Sequence, residues 1–393
     1  MEPASGSGAK NAAFALTADR IFDGHRWHER AAVLIERGLV RGIAAAGDVP
    51  AALPRHDLPV GTLLAPGFID LQVNGGGGIL LNDDPTPAAM AAIARAHRRY
   101  GTTACLPTFI TDTFAKAKAA IAAARVTAGK DGILGLHLEG PFISPARPGI
   151  HPPDRIASAT LADLEWLTGL ASAGRSLITL APECVPAGFV RTLVGAGVRV
   201  SAGHSEASAA VMMAAIADGL SGVTHLHNAM PAMMAREPGI VGTALCEPRL
   251  TAGIIADAIH VDPLVVRASF AAKGADGIAL VTDAMPTVGS TEDGFELLGR
   301  SIKLHDQKLT DQSGTLAGAH LDMASAVRIA VTLAGVPTGD ALRAASLTPA
   351  RYLRIDRERG SLQAGSRADL VALTPTFHAL ATWIGGERFD AHE

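Results

Sequence analysis

The chain has 393 residues, 48% of them hydrophobic, and sets 34 Lys and Arg against 38 Asp and Glu for a formal charge of −4. Such a length, with a mean hydropathy of +0.25, is enough to bury a large core and argues against a disordered chain. The acidic balance and 4% aromatic content argue against a nucleic-acid binder built on a basic face with stacking rings.

No run approaches the ~20 apolar residues of a membrane span, and the opening MEPASGSGAK, read as a flexible leader, lacks the apolar core of a signal peptide. A cytoplasmic protein without a membrane or nucleic-acid partner is expected. Cys105, Cys184 and Cys246 are odd in number and far apart, which suits reduced core thiols better than a zinc knuckle or a redox pair.

In chain order, Phe14 to Ile21 and Ala31 to Ile43 carry short β-like runs separated by turn residues. Ala368 to Leu373 and Ala379 to Ile384 repeat that texture, so the two ends are expected to build one small β-sandwich. Between them, apolar strands alternate with alanine-rich helical stretches, the pattern of a parallel sheet. The strands read as Gly67 to Val73, Thr102 to Thr108, Ile133 to Leu138, Leu177 to Ala181, Val198 to Ala202, Val223 to Leu226, Ala252 to Ile255 and Ile278 to Val281. Eight is the number of a closed barrel. Pro87 to Arg99, Thr160 to Ala171, Ser205 to Asp218 and Pro263 to Lys273 read as helices on its outside. The expected architecture is an α/β (β/α)8 TIM barrel over residues 65–358, with the sandwich made from 1–64 and 359–393.

Polar groups gather at one edge of these strands. Gln72 and Asn74 lie in the first, Glu139 follows the third, Glu183 the fourth and His204 the fifth. His225 falls within the sixth, His260 follows the seventh and Asp283 the eighth. A barrel brings the carboxyl ends of its strands to a single mouth, so residues scattered through the sequence converge there. Glu139, His204 and His225 make a carboxylate with two imidazoles, a standard ligand set for a catalytic divalent metal. Each has a structural alternative: a turn-capping acid for Glu139, a cap beside a helix begun by Ser205 for His204, a buried strand histidine for His225. His227 falls where the sixth strand should have turned into loop. Asp283, at the end of an apolar strand, suits general acid/base work, or else forms the turn before Pro286.

Taken together, the motifs PGFIDLQVNG (66–75), HLEGPF (137–142), GIH (149–151), AGHSEA (202–207), THLHNAMPAM (224–233), ADAIHVD (256–262), VTDAM (281–285) and GTLAGA (314–319) resemble the N-acetylglucosamine-6-phosphate deacetylases of the amidohydrolase superfamily. The resemblance implies one divalent metal per subunit on Glu139, His204 and His225. Zinc stands first, with iron, cobalt and manganese admitted by the same donors. It implies Asp283 as the catalytic acid/base and His151 near the acetyl carbonyl. It further implies a phosphosugar pocket lined by Ile150, Asn228, Ala229, Asp257, His260, Leu316, Ala317 and Gly318. Arg236 would reach the phosphate from the partner in a homodimer. Many relatives in the superfamily carry an HxH pair on strand one and a lysine on strand four for a second metal. Here the first run reads Gln72-Val73-Asn74 and the fourth has no lysine, which favours a single metal. His227 departs from a tyrosine found in part of the family and Ala258 from a glycine, and neither change removes a ligand. The rivals are an enzyme for N-acetylgalactosamine 6-phosphate or another amide, and a catalytically dead barrel serving as a scaffold, whose mark would be lost ligands.

Overall fold

The computed structural model describes residues 13–391, so the leader read at 1–10 lies outside them. Eight parallel strands form the central sheet: β1 Phe68–Val73, β2 Thr102–Ile110, β3 His137–Glu139, β4 Leu177–Leu180, β5 Arg199–Ala202, β6 Gly222–Val223, β7 Thr251–Ile254 and β8 Ile278–Leu280. Strands successive in sequence are neighbours in the sheet. Six of the eight strands are buried from end to end, as in FIDLQV and LITL, which is why they read as apolar runs rather than alternating ones. The seam between β8 and β1 closes at the top. There the Asp283 amide donates to Gln72 O at 3.0 Å and Val73 bridges Ala284 in parallel.

The outer helices follow their caps. Thr86 accepts from Ala89 N at 3.2 Å to start Pro87–Arg98, whose Ala89, Met90, Ile93, Ala94 and His97 form the buried stripe. Asp262 starts Pro263–Lys273 by accepting from Leu264 N at 2.8 Å. Two helices differ from expectation. The one read over Thr160 to Ala171 is a single α turn, Leu164–Leu167, between 3-10 segments Leu161–Asp163 and Thr168–Ser172. Thr168 turns its hydroxyl back onto Leu164 O at 2.8 Å, a local competitor of helical bonding, and Gly169 follows. The helix read from Ser205 starts instead at Ala209, capped by Ser208, because Ser205 is engaged by Glu183.

Both chain ends meet in a second sheet. Its path runs Glu387–Asp390, Ala379–Ile384, Leu370–Leu373, Leu63–Pro66, Ala13–Phe22, Trp27–Glu36, Leu39–Ala45, with Arg55–Asp57 pairing beside Ala13–Phe22. The expected sandwich thus takes the form of one continuous sheet. Leu16, Ile21, Val33 and Ile35 from the early strands share a core with Leu370 and Trp383 from the late ones. Within the carboxyl-terminal part, the Asp369 carboxylate accepts from Arg359, from Arg367 Nε at 2.9 Å and from Gly385 N at 2.7 Å, and its carbonyl accepts from Gly67 N at 2.9 Å.

A third sheet was not anticipated. Gly294–Leu297, Arg300–His305, Lys308–Thr310 and Leu316–Ala319 form an antiparallel meander after β8. Leu298-Gly299 and Asp306-Gln307 make its first two turns with φ of 49°, 83°, 48° and 66°, the paired left-handed geometry that matches strand twist in two-residue hairpins. Its Leu297, Ile302, Leu309 and Ala317 pack with Ile110, Ile150 and Met285 beside the barrel mouth. Of the three thiols, Cys105 alone is buried in the core; Cys184 is half-buried and Cys246 exposed. Among the described residues, no helix is long and apolar enough to cross a membrane.

Candidate active site

The end of each strand sets the direction of its polar side chain. Glu139 is the last residue of β3, and the chain leaves it through Gly140 at φ +81°. A Cβ there would stand 2.2 Å from Thr111 Oγ1, so only glycine permits the approach. Thr111 in turn holds His151 Nδ1 at 2.7 Å. His204 lies two residues beyond β5, His225 two beyond β6 and Asp283 three beyond β8. His225 was expected within the sixth strand; that strand is only Gly222–Val223. All three residues are left-handed, with φ of 48°, 30° and 51°. Non-glycine residues adopt that region at a cost of about 1–3 kcal/mol each, and such strain collects where a site demands a particular orientation.

The three donors meet closely. Glu139 Oε1 is 3.0 Å from His225 Nε2 and 3.2 Å from His204 Nε2, and the two Nε2 atoms are 3.0 Å apart. His204 Nδ1 lies 2.9 Å from Arg147 O; since a carbonyl only accepts, Nδ1 carries a proton and Nε2 can present a lone pair to the cluster. His225 Nδ1 is buried with no partner among the described residues. One shared proton cannot satisfy two imidazole nitrogens and a carboxylate, whereas a divalent cation would engage all three lone pairs, so the donor set fits a metal. A second triad overlaps this one, because donor atoms of Glu139, His151 and His204 also lie within 4.8 Å of one another. We weigh the first triad more heavily, since its contacts of 3.0–3.2 Å are the shorter ones.

Electrostatics divides the acids. Burial alone would raise Glu139, but its contacts with His204 and His225 hold it well below the usual carboxylate range. Burial, then Glu139, pushes Asp283 up to about 6. Asp283 Oδ1 accepts from Gln72 Nε2 at 3.0 Å and from Asn74 Nδ2 at 2.6 Å, and Gln72 Nε2 also touches the Glu139 oxygens at 3.2 and 3.1 Å. Burial, then the neighbouring His204, lowers His151 to about 3, so that ring is neutral at physiological pH.

These groups open into a cavity of about 420 Å³. Of the residues anticipated for the pocket, Ile150, His151, Asn228, Ala229, His260, Leu316 and Gly318 line it together with Glu139, His204, His225 and Asp283. Three others lie elsewhere. Asp257 sits behind His260, gripping its Nδ1 at 2.6 Å. Ala317 points the other way along its strand, into the meander's core. Arg236 is exposed outside the cavity, and among the described residues no Lys or Arg lines it. His227 turns away to Ser269 Oγ at 2.9 Å, and Glu183 braces the loop after His204 by accepting from Ser205 Oγ at 2.6 Å and Glu206 N at 2.7 Å. Sequence reasoning missed Ile110, Met285, Thr315 and Thr111, which carry no signal of their own, and gave no role to Gln72 and Asn74, whose spacing of two on one strand was the available clue.

A model of the amidohydrolase family matches residues 63–388. An N-acetylgalactosamine-6-phosphate deacetylase from Shewanella sp. (strain ANA-3) is 40% identical over 384 residues, 96% of each chain. The crystal structure of N-acetylglucosamine-6-phosphate deacetylase from Pasteurella multocida superposes with a TM-score of 0.92 at 35% identity, covering 96% of this chain and all of that one. An aspartate-to-alanine mutant of the Mycobacterium smegmatis N-acetyl-D-glucosamine-6-phosphate deacetylase, in complex with N-acetyl-D-glucosamine-6-phosphate, gives 0.89 at 30% identity over 96% and 99%.

Proposed function

We propose that this chain, which belongs to the amidohydrolase family, deacetylates N-acetyl-D-glucosamine 6-phosphate to D-glucosamine 6-phosphate and acetate. The observation that carries the reading is the meeting of Glu139, His204 and His225 beside Asp283 in one cavity. Glu139, His204 and His225 would hold a single divalent cation, zinc first among the candidates. When bound, that cation supplies Lewis acidity and lowers the pKa of water. A single metal is favoured because Gln72 and Asn74 stand where relatives with two metals carry an HxH pair, and both turn amide N–H groups toward the carboxylates.

The chain's own groups then divide the work. Asp283 takes a proton from the attacking water as the carbon–oxygen bond forms, and returns it to the amide nitrogen as the carbon–nitrogen bond breaks. The neutral His151 ring, anchored through Nδ1 by Thr111, is available to steady the carbonyl oxygen as charge develops on it. Asn228, His260 and the meander edge at Leu316 and Gly318 line the cavity and are assigned to the sugar.

The phosphate needs a cation that the cavity does not supply. We assign that role to Arg236 of the partner in a homodimer. In support, Arg236 is exposed beside Met233 and Met234, themselves 55% and 65% exposed, an apolar surface suited to burial between copies. A cytoplasmic location suits a charged substrate that does not cross a membrane unaided. A second reading, the C4 epimer N-acetylgalactosamine 6-phosphate, rests on the name of the relative at 40% identity. Acetate release from both 6-phosphates, with metal analysis of the same preparation, tests the proposal. Release from neither would refute it, and the ratio of kcat/KM values decides between the epimers.

A further inference from the structure

We propose that Asn74 is a positioning residue which, with Gln72, occupies Oδ1 of Asp283 and thereby assigns Oδ2 as the atom that receives and returns the proton. The inference rests on the function proposed above. It begins with the backbone. At the barrel seam, Asp283 N donates to Gln72 O at 3.0 Å, and Asn74 N and Gly75 N both donate to Ala284 O at 2.9 Å. The top of β1 is thus fastened to the segment carrying Asp283, and the Asn74 side chain is held against the acid by paired main chain rather than by a flexible loop.

The side chains complete the arrangement. Both hydrogen bonds made to Asp283 end on Oδ1, from Gln72 Nε2 and from Asn74 Nδ2, the latter the shorter at 2.6 Å. Among the described residues no group donates to Oδ2, and Asp283 lines the cavity, so Oδ2 is the oxygen left for water and substrate. Gln72 divides its amide between Glu139 and Asp283. Asn74 serves Asp283 alone. Its own Oδ1 is buried with no partner among the described residues, an arrangement that carries a cost and points to a functional demand. Turning the amide over would set that oxygen against an ionised carboxylate, so Asp283 itself fixes the orientation of Asn74. In the reaction the water O–H breaks as the new C–O bond forms, its proton passing to Oδ2. As the C–N bond breaks, the same proton passes from Oδ2 to the nitrogen. Oδ1 stays bonded to both amides throughout.

The test compares wild type, Asn74→Leu and Asn74→Asp in the metal-loaded enzyme, with steady-state kinetics across pH. In Asn74→Leu, kcat should fall about tenfold to a hundredfold, the effect of losing one hydrogen bond to a charged group, with KM unchanged. The acid limb of the kcat profile should move to higher pH, because the lost donor favoured the ionised acid. Asn74→Asp should move it further, since a like charge replaces the donor. A purely structural asparagine would lower the melting temperature without moving that limb. If Asn74→Leu does not fold, Asn74→Ser carries the same expectation. An unmoved acid limb, or a loss confined to KM, overturns the assignment of Asn74. No acetate from the wild type overturns the function itself.

Discussion

Replacing Asp283 with asparagine separates chemistry from fold at the centre of the site. The amide keeps the shape, and its oxygen can still accept from Gln72 and Asn74, so the seam and the cavity should survive. What is lost is the proton-carrying charge, and kcat should fall by about two to four orders of magnitude, the usual contribution of a positioned acid/base. Stability should move the opposite way. A carboxyl raised to about 6 by burial and by Glu139 ionises at a cost of about 3 kcal/mol at neutral pH in the metal-free protein. The sign follows from proton binding. Because the folded pKa lies above the unfolded one, the folded state holds more protons between about pH 4 and 6, and wild-type stability declines through that window. The variant has no such loss, so its advantage should be absent near pH 4 and complete above about pH 6. Acetate release gives the first quantity, and urea unfolding of metal-free protein across pH gives the second. A variant with wild-type turnover, or one less stable than wild type above pH 6, would refute the reasoning.

Elemental analysis should find one divalent metal per chain, and Glu139→Ala should lose both metal and activity; two metals in the fully active enzyme would contradict the reading of Gln72 and Asn74 as donors. Arg236→Ala should impair turnover of the 6-phosphate far more than that of unphosphorylated N-acetylglucosamine, while a fully active monomer by sedimentation would rule out a shared pocket. Asp369→Ala should destabilise by about 3–5 kcal/mol in urea titration, because it strands the guanidinium of Arg359 in a buried position; a loss under about 1 kcal/mol would show the pair to be effectively solvated.

The barrel was legible because strands buried on both faces leave unbroken apolar runs, and the order of Glu139, His204, His225 and Asp283 at their ends is itself topological information. The four did converge. What escaped the sequence depends on partners distant along the chain. The role of Gln72 and Asn74 arises from the seam with residues 283–284, more than two hundred positions away. The meander after β8 escaped because turns such as Asp306-Gln307 adopt left-handed geometry without glycine. The Thr160 segment failed as a helix for a local reason, a hydroxyl that bonds back to its own main chain.

The sheet shared by the two ends also bears on how the molecule is made. Leu370–Leu373 pairs with Leu63–Pro66, just before the first barrel strand, across about three hundred residues. At ribosomal rates of roughly 5–20 residues per second, the early strand waits on the order of 15 to 60 seconds for its partner to be synthesised. Until then Leu63 to Pro66 has an open edge, and the core that Leu16, Ile21 and Val33 share with Leu370 and Trp383 is unfilled. The nascent chain therefore leaves its apolar amino-terminal hairpin without its late partner strands for most of its synthesis, an open edge of the kind that invites pairing with other chains.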